Sequence, residues 1–186
     1  MARIKYGISN VYYAPVTAES LGVLSYGTPV ALQGAVALTM NANGDEIQEY
    51  ADNITWFAQT VNQGYTGTLE VEDIPDSFRT AILGEVASAD GGIWESSDAQ
   101  MKEFALLFQF EVAGDNSVTG KRGCFLRCTA SRPAVSGSTK QNTISPNHDT
   151  LNLVAMPRVA DHYVKASCES TATAYSSWFS AVPVKS

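Results

Sequence analysis

Apolar and polar residues alternate with a period of two along several stretches of the chain. This is the spacing of strands that bury one face. In residues 30–40, Val30, Leu32, Val36, Leu38 and Met40 share one side with Gly34. Ala31, Gln33, Ala35, Ala37 and Thr39 take the other. In residues 65–72, Tyr65, Gly67, Leu69 and Val71 oppose Thr66, Thr68, Glu70 and Glu72. Phe104, Leu106, Phe108, Phe110 and Val112 form a third row, and Leu151, Leu153 and Ala155 a fourth. The pattern predicts a mainly β fold: an antiparallel β-sandwich or barrel whose strands are half-buried.

One short flanking α-helix is expected after Pro75. Asp76 or Ser77 can accept its first free N–H groups, and acids there suit the positive helix end. Phe78 and Ile82 are four apart and share a face, with Leu83 beside them. Gly84 fits a left-handed stop. A helix of about two turns is not stable alone, so these three side chains are the candidate packing face against the sheet. Near the C-terminus, Tyr175, Phe179 and Val182 fall at helical spacing with Pro183 after them, so residues 166–186 read as a second short helix or a docked arm. Three segments read as loops. Residues 41–45 (NANGD) carry hairpin chemistry in Asn43-Gly44, residues 87–97 contain Asp90-Gly91-Gly92, and residues 135–148 are polar and aperiodic between two strands. The last is long for a hairpin loop. No repeat and no linker divides the chain, so residues 1–186 read as a single domain.

Composition narrows the function. Of 186 residues 45% are apolar, enough for a packed core. The net charge of −7 lacks the basic face that a nucleic-acid grip needs. No run of 18 apolar residues and no secretory leader is visible, so no membrane insertion is expected and synthesis in a cytoplasm is. Three cysteines fit a reducing compartment better than a disulfide frame. The charge is also segregated. Residues 45–115 hold fifteen acids against Arg79 and Lys102, while residues 116–186 hold eight bases against Asp149, Asp161 and Glu169. Either the two halves pair within one subunit, or acidic and basic faces meet between subunits, where complementarity sets register and rate.

Catalytic and metal chemistry finds little support. Cys124 and Cys128, with His148 and His162 elsewhere, suggest zinc only loosely. Residues 123–130 alternate like a strand, which places the two sulfurs roughly 13 Å apart, too far to share one tetrahedral ion. His148-Asp149 lacks a nucleophile elbow. Glu70 and Glu72 share a strand face and fit a solvated acidic surface better than a glycosidase pair. No phosphate-cradling glycine loop is present. No enzyme activity and no cofactor are therefore expected. Tyr12, Tyr13, Trp56, Phe57, Tyr65 and Trp94 can form a sugar platform, but core or subunit-interface anchors are the commoner role.

The ordered set of segments MARIKYGISNVYYAPVT, YGTPVALQGAVAL, EYADNITWF, NQGYTGTLEVEDIPDSFRTAILGE, FALLFQFE and TLNLVAMPRVADHYVKA resembles the major tail proteins of long non-contractile phage tails, particularly of phages of Gram-positive hosts. Residues 135–148 and 166–186 match less distinctly. The resemblance implies a β-sandwich or barrel similar to the tube protein of type VI secretion. It implies hexameric rings, stacked into the virion's tail tube, that conduct double-stranded DNA without binding it. Tape-measure, tail-terminator and distal tail proteins are the implied partners. Before assembly the subunit would sit in the host cytoplasm. In such a tube Asp45, Glu46, Glu49, Asp52, Glu70 and Glu72 are candidate lumen-lining acids. Lys121, Arg122, Arg127, Arg132, Trp56 and Phe57 are candidate subunit-interface residues. The N-terminal segment and residues 135–148 are expected to order only in the stack. The competing expectation is a virion decoration or carbohydrate-binding β-sandwich.

Overall fold

The computed structural model describes residues 3–114, 117–139 and 146–185. In chain order the strands are β1 (Ile4–Ser20), β2 (Val23–Tyr26), β3 (Val30–Ala31), β4 (Ala35–Asn43), β5 (Glu46–Ala51), β6 (Ile54–Thr60), β7 (Gly64–Val71), β8 (Val86–Ala87), β9 (Ile93–Trp94), β10 (Phe104–Ala113), β11 (Gly120–Ala130), β12 (Asp149–Ala155) and β13 (Lys165–Glu169). The fold is mainly β, as the alternation predicts. Antiparallel pairing runs β2-β1-β10-β11-β12-β7-β4. β13 covers the first half of β11, and β12 covers its last residues. β3 pairs with β1 at Tyr12 and Tyr13, and the Leu32 N–H donates to the Val11 carbonyl at 2.8 Å. These bonds bring the β3–β4 end of the chain's sheet back against β1, and the main core lies between the strands so joined.

That core joins the inward rows of β7, β10 and β12 to the helix. Leu69, Val71, Phe104, Leu106, Leu151, Leu153 and Ala155 are buried together with Phe78, Ile82 and Leu83. Each such Leu or Phe contributes about 1.5–3 kcal/mol by leaving water. The Phe78 ring meets Tyr13 and Phe104 edge-on, with centroids 5.0 and 5.5 Å away. The helix bears out its packing face but not its cap. Pro75 is the N-cap with no side-chain cap bond, and its carbonyl accepts from Phe78 and Arg79 instead. The helical turn Asp76–Phe78 then widens into a π turn, Arg79–Leu83. Bonds from i to i+5 bring Leu83 back beneath Phe78, so both enter the core. Gly84 ends the helix in the left-handed region, with φ 78°.

Three expectations are corrected. Residues 30–40 are not one strand: the chain breaks at Gly34 (φ 81°), and a register shift falls between Ala35 and Ala37. A one-residue slip reverses faces, so between the break and the shift Ala35 packs on the core and Val36 is exposed, while Leu32 before them and Leu38 and Met40 beyond them lie inward; Val30, at the start of β3, is exposed as well. The hairpin turn is not at Asn43-Gly44. There the strands continue, with Gln63 N–H donating to Asn43 O at 3.0 Å and Val61 N–H to Asp45 O at 3.1 Å. Gly44 serves close approach, because a Cβ there would lie 1.7 Å from the Val61 carbonyl oxygen. The turn is at Asp52 and Asn53, whose φ values of 53° and 63° suit a tight I′-type connection. The N-terminal segment, finally, is an integral strand rather than one awaiting a stack. β1 pairs with β10 from Ile4 to Pro15, and irregularities at Gly7 and Asn10, both with positive φ, hide its alternation.

β10 is covered on both faces. A second cluster buries Ala105 and Leu107 with Ala14, Cys124 and Leu126 beneath Trp178 and Val182. The C-terminal residues are thus a docked arm with a single 3₁₀ turn, Thr173–Tyr175. The Trp178 indole N–H donates to the Gly123 carbonyl at 3.3 Å. Of the loop over residues 135–148, residues 140–145 lie outside the described residues, and the remainder forms no helix or strand.

Candidate interaction surface

β5 and β6 form a two-stranded sheet of their own, continuing the β4–β7 hairpin away from the core. Every residue in both strands is exposed. Yet Ile47, Tyr50, Ile54, Trp56 and Phe57 are large and apolar, with Trp56 70% exposed. The register shifts opposite Trp56, between Glu49–Phe57 and Tyr50–Thr55. That bulge puts apolar groups on both faces of the arm. Four candidate acids ride on it: Glu46 and Glu49 in β5, Asp45 at its foot and Asp52 in its turn. Glu70 and Glu72 stand apart on the body. Glu70 is half-buried in β7, and Glu72 lies 3.7 Å from His148 Nε2. The six acids are therefore two groups on two regions.

The candidate basic residues also divide. Arg122 is packed between the Tyr175 and Phe179 rings, 3.8 and 4.5 Å from their centroids. Its Nε donates to Gln109 Oε1 at 2.9 Å. Arg127 donates to Glu103 at 2.8 Å, which holds the guanidinium above its ordinary pKa. Arg132 pairs with Glu95 at 2.7 Å. Two cations of the basic stretch, Arg127 and Arg132, thus meet acids of the acidic stretch within one subunit. Lys121 differs. With Lys5 and Lys165 it rims an open groove of about 460 Å³, floored by Tyr65, Phe108 and Phe110. Lys5 lies over the Phe110 ring at 4.3 Å, and Lys165 over Tyr65 at 4.7 Å. Among the described residues, no carboxylate pairs with Lys5, Lys121 or Lys165. Among the same residues, no cation pairs with the acids at 45, 46, 49 and 52.

Register locates the groove. Tyr65 pairs with Ala42 and with Ala155, and Ala155 pairs with Cys128. The first half of β11, with the adjoining ends of β1 and β10, therefore runs past the ends of β7 and β12. It does so on the side from which the arm departs. The groove lies at the arm's foot.

The other candidate chemistry is dispersed. Cys124 and Cys128 are buried in different clusters, and burial pushes both thiols up. Asp149 accepts from the Ile74 N–H at 3.3 Å. The six candidate aromatics form no common platform: Tyr13 is core, Tyr12 stacks on Phe179, Tyr65 floors the groove, and Trp56, Phe57 and Trp94 are exposed. Among the described residues no helix is long and apolar enough to cross a membrane. Reading the sequence missed the arm as a unit, although apolar residues on both strand faces around Asp52-Asn53 marked it. It also missed Trp178, whose helical neighbours drew attention instead. No family model matches the chain, and no curated protein is significantly similar to it.

Proposed function

We propose that the chain is a self-assembling structural protein, a tail-tube subunit of a long non-contractile phage tail. Its copies close into hexameric rings, and the rings stack into a hollow tube that conducts DNA. The observation that carries this reading is the arm, an apolar two-stranded extension exposed on all sides. An isolated hairpin is marginal in water. One that holds Trp, Tyr and Phe in solvent gains stability from covering them, and such residues dominate subunit contacts. Each arm strand has one unpaired edge, and an open strand edge is a template for pairing with another chain. Head-to-tail contacts of this kind close into rings or extend into filaments. The chain's net negative charge suits a conduit, since cationic contacts would add affinity for the passing phosphates. The arm acids and the pair Glu70 and Glu72 are the candidates for its wall. Tape-measure and terminator proteins are the partners such a tube requires.

Negative-stain imaging of the purified full chain tests the proposal. Hollow tubes or six-fold rings support it. A monodisperse single particle at high concentration, with glycan affinity at Tyr50 and Trp56, favours a carbohydrate-binding module instead.

A further inference from the structure

We infer that the basic, aromatic groove rimmed by Lys5, Lys121 and Lys165 is the receptor for the arm of a second copy of this chain. The inference rests on the self-assembly proposed above and names its contact. The two surfaces complement each other in charge and in apolar character. The groove offers three ammonium groups, without carboxylate partners among the described residues, over a floor of Tyr65, Phe108 and Phe110. The arm offers Asp45, Glu46 and Glu49, without cationic partners among the described residues, around Ile47, Tyr50, Trp56 and Phe57. Opposite potentials speed encounter and fix register, while buried aromatics supply affinity.

The arm does not fill its own groove, since every residue of β5 and β6 is exposed. It leaves the body at the groove's edge and, at six and seven residues per strand, reaches roughly 20 Å beyond it. Groove and foot share one end of the main sheet, so an arm meets the groove of a copy beside or facing its own. A copy stacked squarely on the far end does not present its groove.

Charge exchange tests the contact in the full chain. Lys5→Glu, Lys121→Glu and Lys165→Glu together reverse the groove. Asp45→Lys, Glu46→Lys and Glu49→Lys together reverse the arm. All six positions are exposed, and unchanged melting temperatures confirm folding. Each reversal alone is expected to weaken assembly, read by sedimentation velocity, roughly a hundredfold. An equal mixture of the two variants, or the chain carrying all six changes, is expected to recover assembly. Wild-type-like assembly of the groove-reversed chain assigns the groove to another occupant and overturns the inference. So does failure of the sixfold variant to recover. A wild-type chain that stays monomeric defeats the self-assembly reading itself, a different and separable result.

Discussion

Within one continuous hairpin, Leu69 is 1% exposed and Trp56 is 70% exposed. Both lie on strands rich in apolar residues, but the two regions meet different surroundings. β7 has neighbours on both edges, β12 and β4, and packs its inner face on the core shared with the helix. The arm has only its own second strand. On β7 the inward apolar residues are explained by folding. In the arm folding leaves apolar residues in water, and the proposed self-assembly is what would cover them. The same division separates the charges. Arg127 and Arg132 find carboxylates at home, while Lys121 and the arm acids do not.

Removing a ring from the body breaks that comparison most severely. Phe78→Ala leaves a cavity where three aromatics meet and is expected to cost about 3–5 kcal/mol in urea unfolding. Trp56→Ala, by contrast, should stay within about 0.5 kcal/mol of wild type in the same assay while weakening self-association. Equal destabilisation by both would show that the arm packs on the body in solution. Gly67→Ala comes next. A Cβ there would lie 1.8 Å from the Thr39 carbonyl oxygen, and forcing the β4–β7 pair apart is expected to cost about 1–3 kcal/mol. The turn is a finer probe. Asn53→Ala strains a left-handed position by about 1–2 kcal/mol. Because the arm folds outside the core, that strain should appear as faster amide exchange in residues 46–60, with the urea midpoint unmoved.

A smaller effect follows from the two buried thiols. The fold holds Cys124 and Cys128 as neutral thiols, since burial raises their pKa values. The unfolded chain gives up those protons once pH passes the ordinary thiol range. Stability is therefore fully present below that range and falls as pH rises through it. Urea midpoints of the wild type and of Cys124→Ala/Cys128→Ala should diverge less at pH 10 than at pH 7, because the variant keeps its cavity cost but loses the proton linkage.

Most of the body was legible in the sequence because its rows obey one period. Leu69 and Val71, Phe104 to Phe108, and Leu151 to Ala155 are inward as expected. The failures share a physical cause. Gly34 and the neighbouring bulge reset the parity of residues 30–40, and the irregularities at Gly7 and Asn10 did the same in β1. Asn43-Gly44 looked like a turn because glycine's second use, letting strands approach closely, leaves the same letters. The six candidate acids and four candidate cations were visible as charge, but which cations carboxylates had already claimed depends on tertiary contacts such as Arg127 with Glu103. The groove was not legible at all. Its lysines come from β1, β11 and β13 and converge only through register.

The most direct test replaces residues 46–60 with a two-residue turn and follows both chains by sedimentation velocity over a range of concentrations. The account predicts that the full chain grows into larger species as concentration rises, while the shortened chain stays monomeric with an unchanged melting temperature. Identical behaviour of the two chains, whether both assemble or neither does, would contradict it.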